Sequence, residues 1–122
     1  MPKRILIAED DEPNRRLIKD VLMYHGYEVI EAVNGDEAVK MAAGHKPDLV
    51  LMDLQMPVMN GVEAIRQLKN SPETKDIKII AVTGLAMESD RENTMKMGAD
   101  GYMAKPIDIR QLPEAIERLF ER

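Results

Sequence analysis

The chain alternates five times between a short apolar run and a longer stretch patterned for a helix, at about 24 residues per unit, which suits repeated strand–helix units. The runs are Ile5-Leu6-Ile7-Ala8, Glu28 to Ala32 around Val29 and Ile30, Leu49-Val50-Leu51-Met52 running into Asp53, Ile77 to Val82, and Tyr102-Met103-Ala104. Short apolar runs bounded by turn residues read as strands buried on both faces, as in a parallel sheet. The pattern predicts an α/β chain: a five-stranded parallel sheet in one layer, helices on both faces. With 122 residues, no internal repeat beyond this alternation and no linker, a single domain over 1–122 is expected.

The intervening stretches carry helix punctuation. Pro13 suits a first helical turn, Leu17, Ile18, Val21 and Leu22 fall at helical spacing, and Gly26 suits the C-terminal cap. Asn34-Gly35 turns the chain into a helix with a modest face of Ala38, Val39 and Ala42, which Gly44-His45-Lys46-Pro47 is expected to close. Val62, Ile65 and Leu68 mark a third helix stopped by Ser71-Pro72, and Gly98 ends a fourth that starts near Glu88. Asp108-Ile109-Arg110-Gln111 resembles a capping box, although Pro113 just after it requires an irregular first turn.

Composition excludes several functions. Seventeen basic against 22 acidic residues, net −5, disfavours generic binding to DNA backbones or anionic membranes. No cysteine is present, so there is no disulfide framework, thiolate metal site or thiol nucleophile. The N-terminal apolar run is too short for a signal peptide, and no run reaches membrane-spanning length, so a cytoplasmic protein is expected. His25 reads as a residue in a helix's last turn and His45 as a solvated loop residue, neither with the nearby ligands of a zinc site. The 10 methionines read as adaptable core filler, and the few aromatics are poor material for stacking a flavin or single-stranded bases.

The polar residues that end the runs are more telling. The first run ends in Glu9-Asp10, the third in Asp53, the fourth in Thr83 and the fifth in Lys105. In a parallel sheet these ends share one edge, where open α/β sheets bind ligands. Glu9 and Asp10 belong to a strand end, whereas Asp11 and Glu12 also suit the start of a helix. Crowded carboxylates repel, and a divalent cation relieves that repulsion. With oxygen ligands and no histidine or cysteine, the natural choice is Mg²⁺. A lysine charge and a hydroxyl are what a transferred phosphoryl group also needs. The set looks built for metal-assisted phosphoryl transfer onto Asp53.

Four segments carry a family resemblance: Ile5-Leu6-Ile7-Ala8-Glu9-Asp10, Met52-Asp53-Leu54-Gln55-Met56-Pro57-Val58-Met59-Asn60-Gly61, Val82-Thr83-Gly84 and Tyr102-Met103-Ala104-Lys105-Pro106. Over its whole length the chain resembles the receiver domain of bacterial two-component response regulators. The Glu9-Asp10 start and the Met52-Asp53-Leu54-Gln55 segment are most similar to stand-alone cell-cycle receivers of the DivK type. The resemblance implies a flavodoxin-like sheet of order 2-1-3-4-5, as in this family's place among doubly wound folds. It implies that Asp53 takes a phosphoryl group from a phosphohistidine on a histidine kinase or histidine phosphotransferase. Glu9, Asp10, Asp53 and the main-chain carbonyl of Gln55 would surround Mg²⁺. Lys105 would pair with the phosphoryl oxygens, Thr83 would move to hydrogen-bond one of them, and Tyr102 would follow by rotating inward. The Lys105-Pro106 bond is expected to be cis. Such a chain would be a monomer or weak dimer that binds a downstream protein, with no direct DNA or membrane contact. Two positions depart from the family pattern: Glu9 where Asp is more frequent, and Gly84 where Ala is common.

Two residues bear on the lifetime of the phosphoryl group. The family's positions two past the acceptor and two past the threonine flank the attacking water, and here they are Gln55 and Leu85. Gln55 could orient a water, but bulky Leu85 should exclude it, so slow self-dephosphorylation is expected. Three rivals fare worse. A haloacid-dehalogenase-type phosphatase needs a carboxylate where Gln55 stands. A flavodoxin-like cofactor binder lacks the aromatic wall, the hydroxyl-rich phosphate loop and any G-x-G-x-x-G. A degenerate receiver would not keep the full residue set.

Overall fold

The structure, a computed structural model, describes residues 2–84 and 88–121, with the side chains of all of these but 88–90. Five strands and five helices alternate among the described residues. They run β1 (Arg4–Ala8), α1 (Glu12–Tyr24), β2 (Glu28–Ala32), α2 (Gly35–His45), β3 (Leu49–Asp53), α3 (Gly61–Lys69), β4 (Lys78–Thr83), α4 (Glu88–Lys96), β5 (Gly101–Ala104) and α5 (Leu112–Phe120). The strands are all parallel, in the order β2-β1-β3-β4-β5, as expected from the resemblance. β3 lies at the centre and is buried along its whole length, which is why its sequence is a continuous apolar run rather than an alternation.

The sheet divides the core in two. Leu6, Ala8, Val50, Met52, Ile79 and Ala81 face α2 and α3, packing on Ala38, Ala42, Ala64, Ile65 and Leu68. Ile5, Ile7, Leu49, Leu51, Ile80 and Val82 face α1 and α5, packing on Ile18, Leu22, Leu112, Ile116 and Leu119. This is the period of two along each strand, read out on both faces. It also decides where the strand-end residues go. Glu9 and Asp53 continue the row that faces α1 and α5. Thr83 continues the opposite row, and β5 pairing sets Ala104 beside Thr83 and Tyr102 beside Ala81, so Thr83 and Tyr102 share that face.

The helix starts use short polar caps. Asp11, Asn34 and Asn60 each accept a hydrogen bond from the main-chain N–H three residues on, opening α1, α2 and α3. Four local expectations are corrected. His45 is the last residue of α2 rather than part of the loop, because the left-handed residue that ends the helix is Lys46, at φ 48°. Leu17 is exposed, so only Ile18 and Leu22 of its apolar set are fully buried. His25 is the cap residue of α1 and not within its last turn. Asp108 does not cap a helix. Its carboxylate accepts from the Arg110 N–H in a local turn, and α5 begins only at Leu112, with Pro113 in the first turn where its missing N–H costs nothing.

Candidate functional site

The carboxyl ends of β1, β3 and β5 meet at one edge of the sheet. Glu9 is fixed through its main chain on both sides: its N–H donates to the Ala32 carbonyl at 3.0 Å, and its own carbonyl accepts from Arg15 at 2.9 Å. Asp53 is 2 % exposed. One of its oxygens accepts from the Gln55 N–H at 3.0 Å, and the other accepts from Lys105 Nζ at 2.8 Å. Lys105 also reaches Glu9 Oε1 at 3.1 Å, so a single ammonium bridges two buried carboxylates. The Lys105-Pro106 bond is cis, as expected, and the Lys105 N–H donates to the Thr83 carbonyl at 2.9 Å.

The electrostatics are uneven. Burial, followed by the hydrogen bond and negative charge of Asp53, pushes the Glu9 carboxyl up to about 7, with Lys105 opposing. Burial works against the Lys105 ammonium, but its hydrogen bonds to Asp53 and Glu9 outweigh that and raise its pKa overall. The pocket therefore holds more negative charge than one lysine neutralises. Asp10, which is exposed, completes a set of three: carboxylate oxygens of Glu9, Asp10 and Asp53 lie within 4.8 Å of one another. All three donors are hard oxygens, and Asp10 leaves a side open to water. That is the chemistry of a Mg²⁺ site rather than of a zinc site, so the residues fit the expected ion.

Thr83 is buried at the end of β4, and Tyr102 is half-buried against the core on the same side of the sheet. The Gln55 side chain accepts from the Gly84 N–H at 3.2 Å, tying the loop after Asp53 to the residue after Thr83. Leu85 lies outside the described residues.

The structure also shows features that motif reading passed over. Arg15 on α1, which holds the Glu9 carbonyl, is itself anchored by Glu31 of β2 at 3.1 Å. Gly61 packs so tightly that a Cβ there would lie 2.2 Å from the Asp53 carbonyl oxygen, and one at Gly35 would lie 2.1 Å from the Met59 carbonyl oxygen. These two glycines let α2 and α3 close on the loop that follows Asp53. On the α1 side, a cleft of about 300 Å³ runs from Glu9 and Lys105 past Asn14, Leu17, Pro106 and Ile109.

Comparison with known proteins gives a consistent picture. Residues 5–117 match the response regulator receiver domain family. The chain is 42 % identical over 117 residues to the polar-differentiation response regulator DivK of Brucella anthropi, covering 96 % of this chain and 95 % of that one. The fold is similar to a CheY-like receiver domain protein of Methanospirillum hungatei, with TM-score 0.91, 31 % identity, and 99 % and 95 % of the two chains covered. It is equally similar to the receiver domain of a sensor histidine kinase of Pseudomonas aeruginosa, with TM-score 0.91, 32 % identity and both chains fully covered; that structure holds a magnesium ion in its active-site cleft. Among the described residues no helix is long and apolar enough to cross a membrane.

Proposed function

Since the chain belongs to the response regulator receiver domain family, we propose that it is a phosphorylation-controlled binding switch whose phosphoacceptor is Asp53. The observation that carries this reading is the Asp53 carboxylate itself: central, buried, and held between the Gln55 N–H and the Lys105 ammonium. The donor is a phosphohistidine on a histidine kinase or histidine phosphotransferase protein. An Asp53 oxygen attacks phosphorus, the phosphorus–nitrogen bond breaks, and its electron pair returns to the leaving imidazole. Lys105 turns from Asp53 and Glu9 toward the new phosphoryl oxygens, a charge-assisted contact.

Glu9, Asp10, Asp53 and the Gln55 main-chain carbonyl would hold Mg²⁺. When bound, the ion supplies positive charge that offsets the crowded carboxylates and the incoming phosphoryl group. Arg15 keeps Glu9 oriented toward this set through its carbonyl. The chain is a regulatory domain rather than an enzyme acting on a separate substrate.

The readout runs through the other face of the sheet. Thr83 bonds a phosphoryl oxygen, and the Gly84–Gln55 hydrogen bond links that movement to the acceptor loop. Tyr102, on the same face, moves inward and biases a surface of α4, β5 and α5 toward a downstream protein. Cytoplasmic location, a monomer or weak dimer, and slow self-dephosphorylation with Gln55 and Leu85 beside the water path complete the proposal.

The deciding experiment is incubation with acetyl phosphate and Mg²⁺, then borohydride trapping and mass spectrometry. Label on Asp53, and none on the Asp53→Asn protein, is expected. Equal labelling of the variant would refute the assignment.

A further inference from the structure

Glu31 stands near the end of β2, an edge strand, in register with Ile7 of β1. It lies two residues on from Val29 and therefore on the α1 face of the sheet. Its carboxylate is shared by two residues of α1 that are one turn apart. Oε1 accepts from Arg15 Nε at 3.1 Å, and Oε2 accepts from Lys19 Nζ at 3.3 Å. The contact with Arg15 differs from an ordinary surface ion pair. The arginine side chain is only 16 % exposed, and its Nη1 donates to the Glu9 carbonyl at 2.9 Å. The guanidinium is a rigid planar fork, so fixing Nε also fixes where Nη1 points.

The next residue of β2 completes the grip, for the Ala32 carbonyl accepts from the Glu9 N–H at 3.0 Å. Two consecutive residues of β2 thus hold both main-chain groups of Glu9, Ala32 directly and Glu31 through Arg15. The Glu9 carbonyl belongs to the peptide that joins Glu9 to Asp10. The carboxylates on either side of that peptide are two of the three whose oxygens lie within 4.8 Å of one another. β1 ends at Ala8, Glu9 is buried and Asp10 is exposed. The orientation of this one peptide therefore decides whether Asp10 turns toward Glu9 and Asp53 or away into solvent.

We propose that Glu31 is a positioning residue for the metal pocket: acting through Arg15, it sets the Mg²⁺ affinity of Glu9, Asp10 and Asp53 from outside their cluster. This rests on those three carboxylates being the Mg²⁺ ligands. Residues that orient a ligand rather than supply one commonly carry about tenfold or more of a site's affinity.

The test is calorimetric titration with Mg²⁺ of the wild type, Glu31→Ala, Glu31→Gln, Arg15→Met and the double variant Arg15→Met/Glu31→Ala, with urea unfolding in EDTA for each. Glu31→Ala should weaken Mg²⁺ binding about tenfold. Glu31→Gln keeps an acceptor for Arg15 Nε and should stay within about threefold of wild type. Arg15→Met should lose at least as much as Glu31→Ala, and adding Glu31→Ala to it should change nothing further, because the two act as one unit. Labelling of Asp53 by acetyl phosphate in Glu31→Ala should need about tenfold more Mg²⁺ for its half-maximal rate, yet reach a maximal rate within about twofold of wild type. Unchanged Mg²⁺ affinity in Glu31→Ala overturns the proposal, whatever that variant's stability. Equal losses in the alanine and glutamine variants overturn it too, since they would show a lost charge rather than a lost anchor, as do additive losses in the double variant. If the Arg15 variants do not fold, the two Glu31 variants decide alone. A wild type that binds no Mg²⁺ refutes the metal reading instead, and one that takes no label on Asp53 refutes the phosphoacceptor reading, so the failures are distinct.

Discussion

Replacing Glu9 with glutamine should stabilise the metal-free protein, and only at neutral and alkaline pH. The Glu9 carboxyl titrates near 7 in the folded chain against an ordinary value of 4.5, which corresponds to a penalty of about 3 kcal/mol on its charged form. Between these two values the folded chain binds more protons than the unfolded one, so wild-type stability falls as pH rises through the window. Below about pH 4.5 the penalty is absent, because Glu9 is neutral in both states; above about pH 7 it is complete. Glutamine resembles the neutral acid in shape and keeps a hydrogen-bonding group toward Asp53. The variant should therefore match wild type near pH 4.5 and exceed it at pH 8, by up to about 3 kcal/mol. At a urea m-value of about 1.5 kcal/mol per molar, that is a midpoint shift of about 2 M. The assay is urea unfolding in EDTA at a series of pH values, with the difference between the two proteins isolating Glu9 from other titrating groups. Adding Mg²⁺ at about a hundred times its dissociation constant should return about 2.7 kcal/mol to the wild type and largely close the gap. A variant less stable than wild type at pH 8, or a difference that does not change with pH, would refute the reasoning.

Other perturbations read different parts of the structure. Asp10→Asn removes one of three clustered carboxylates, and calorimetric titration should show Mg²⁺ affinity reduced about tenfold, or about 1.4 kcal/mol. Gly61→Ala forces a Cβ against the main chain of Asp53 and Leu54; denaturant unfolding should show a loss of about 1–3 kcal/mol, with slower labelling of Asp53 by acetyl phosphate. Asp100→Ala deprives the Ile79 N–H and Lys69 of their shared carboxylate, and should cost about 1–3 kcal/mol in the same assay while leaving Mg²⁺ affinity unchanged. Thr83→Ala should still accept the phosphoryl group, but its phosphorylated form should bind the downstream partner poorly in a direct binding assay; wild-type affinity would break the proposed coupling.

Much of this molecule could be read from the chain because strand burial and strand sequence are tightly linked. The runs at 28–32 and 49–53 match β2 and β3 at both ends, and the others differ by a residue or so. The convergence of Glu9, Asp53 and Lys105 also followed from strand ends sharing an edge. What stayed hidden depends on contacts between distant segments. Nothing in the sequence marks Arg15 as the residue that grips the Glu9 carbonyl, since an arginine on an exposed helix turn is ordinary. The positive-φ turn at Val58, in which the Met59 N–H donates to the Pro57 carbonyl, was hidden because the Met59 carbonyl is held by the Gly35 N–H, 24 residues away in sequence. The apparent capping box at Asp108 failed for a local reason: aspartate bonds the N–H two residues on as readily as the one three residues on, and the first option won.

The division of the core by a single sheet has a consequence for how such a protein changes over time. Glu9, Asp53 and the cleft beside α1 lie on one side of the wall, while Thr83 and Tyr102 lie on the other. α1 packs on the face of the sheet away from Thr83 and Tyr102, and distant sites with no shared partners combine additively; α5, the third element of the proposed reader surface, packs beside α1. On the proposed function, the donor's face and the α4–β5 part of the reader's face can therefore drift separately, while α5 ties one to the other. Duplicated copies could be rewired at the entrance without disturbing the exit, provided the passage at the end of β4 and the packing of α5 stay intact.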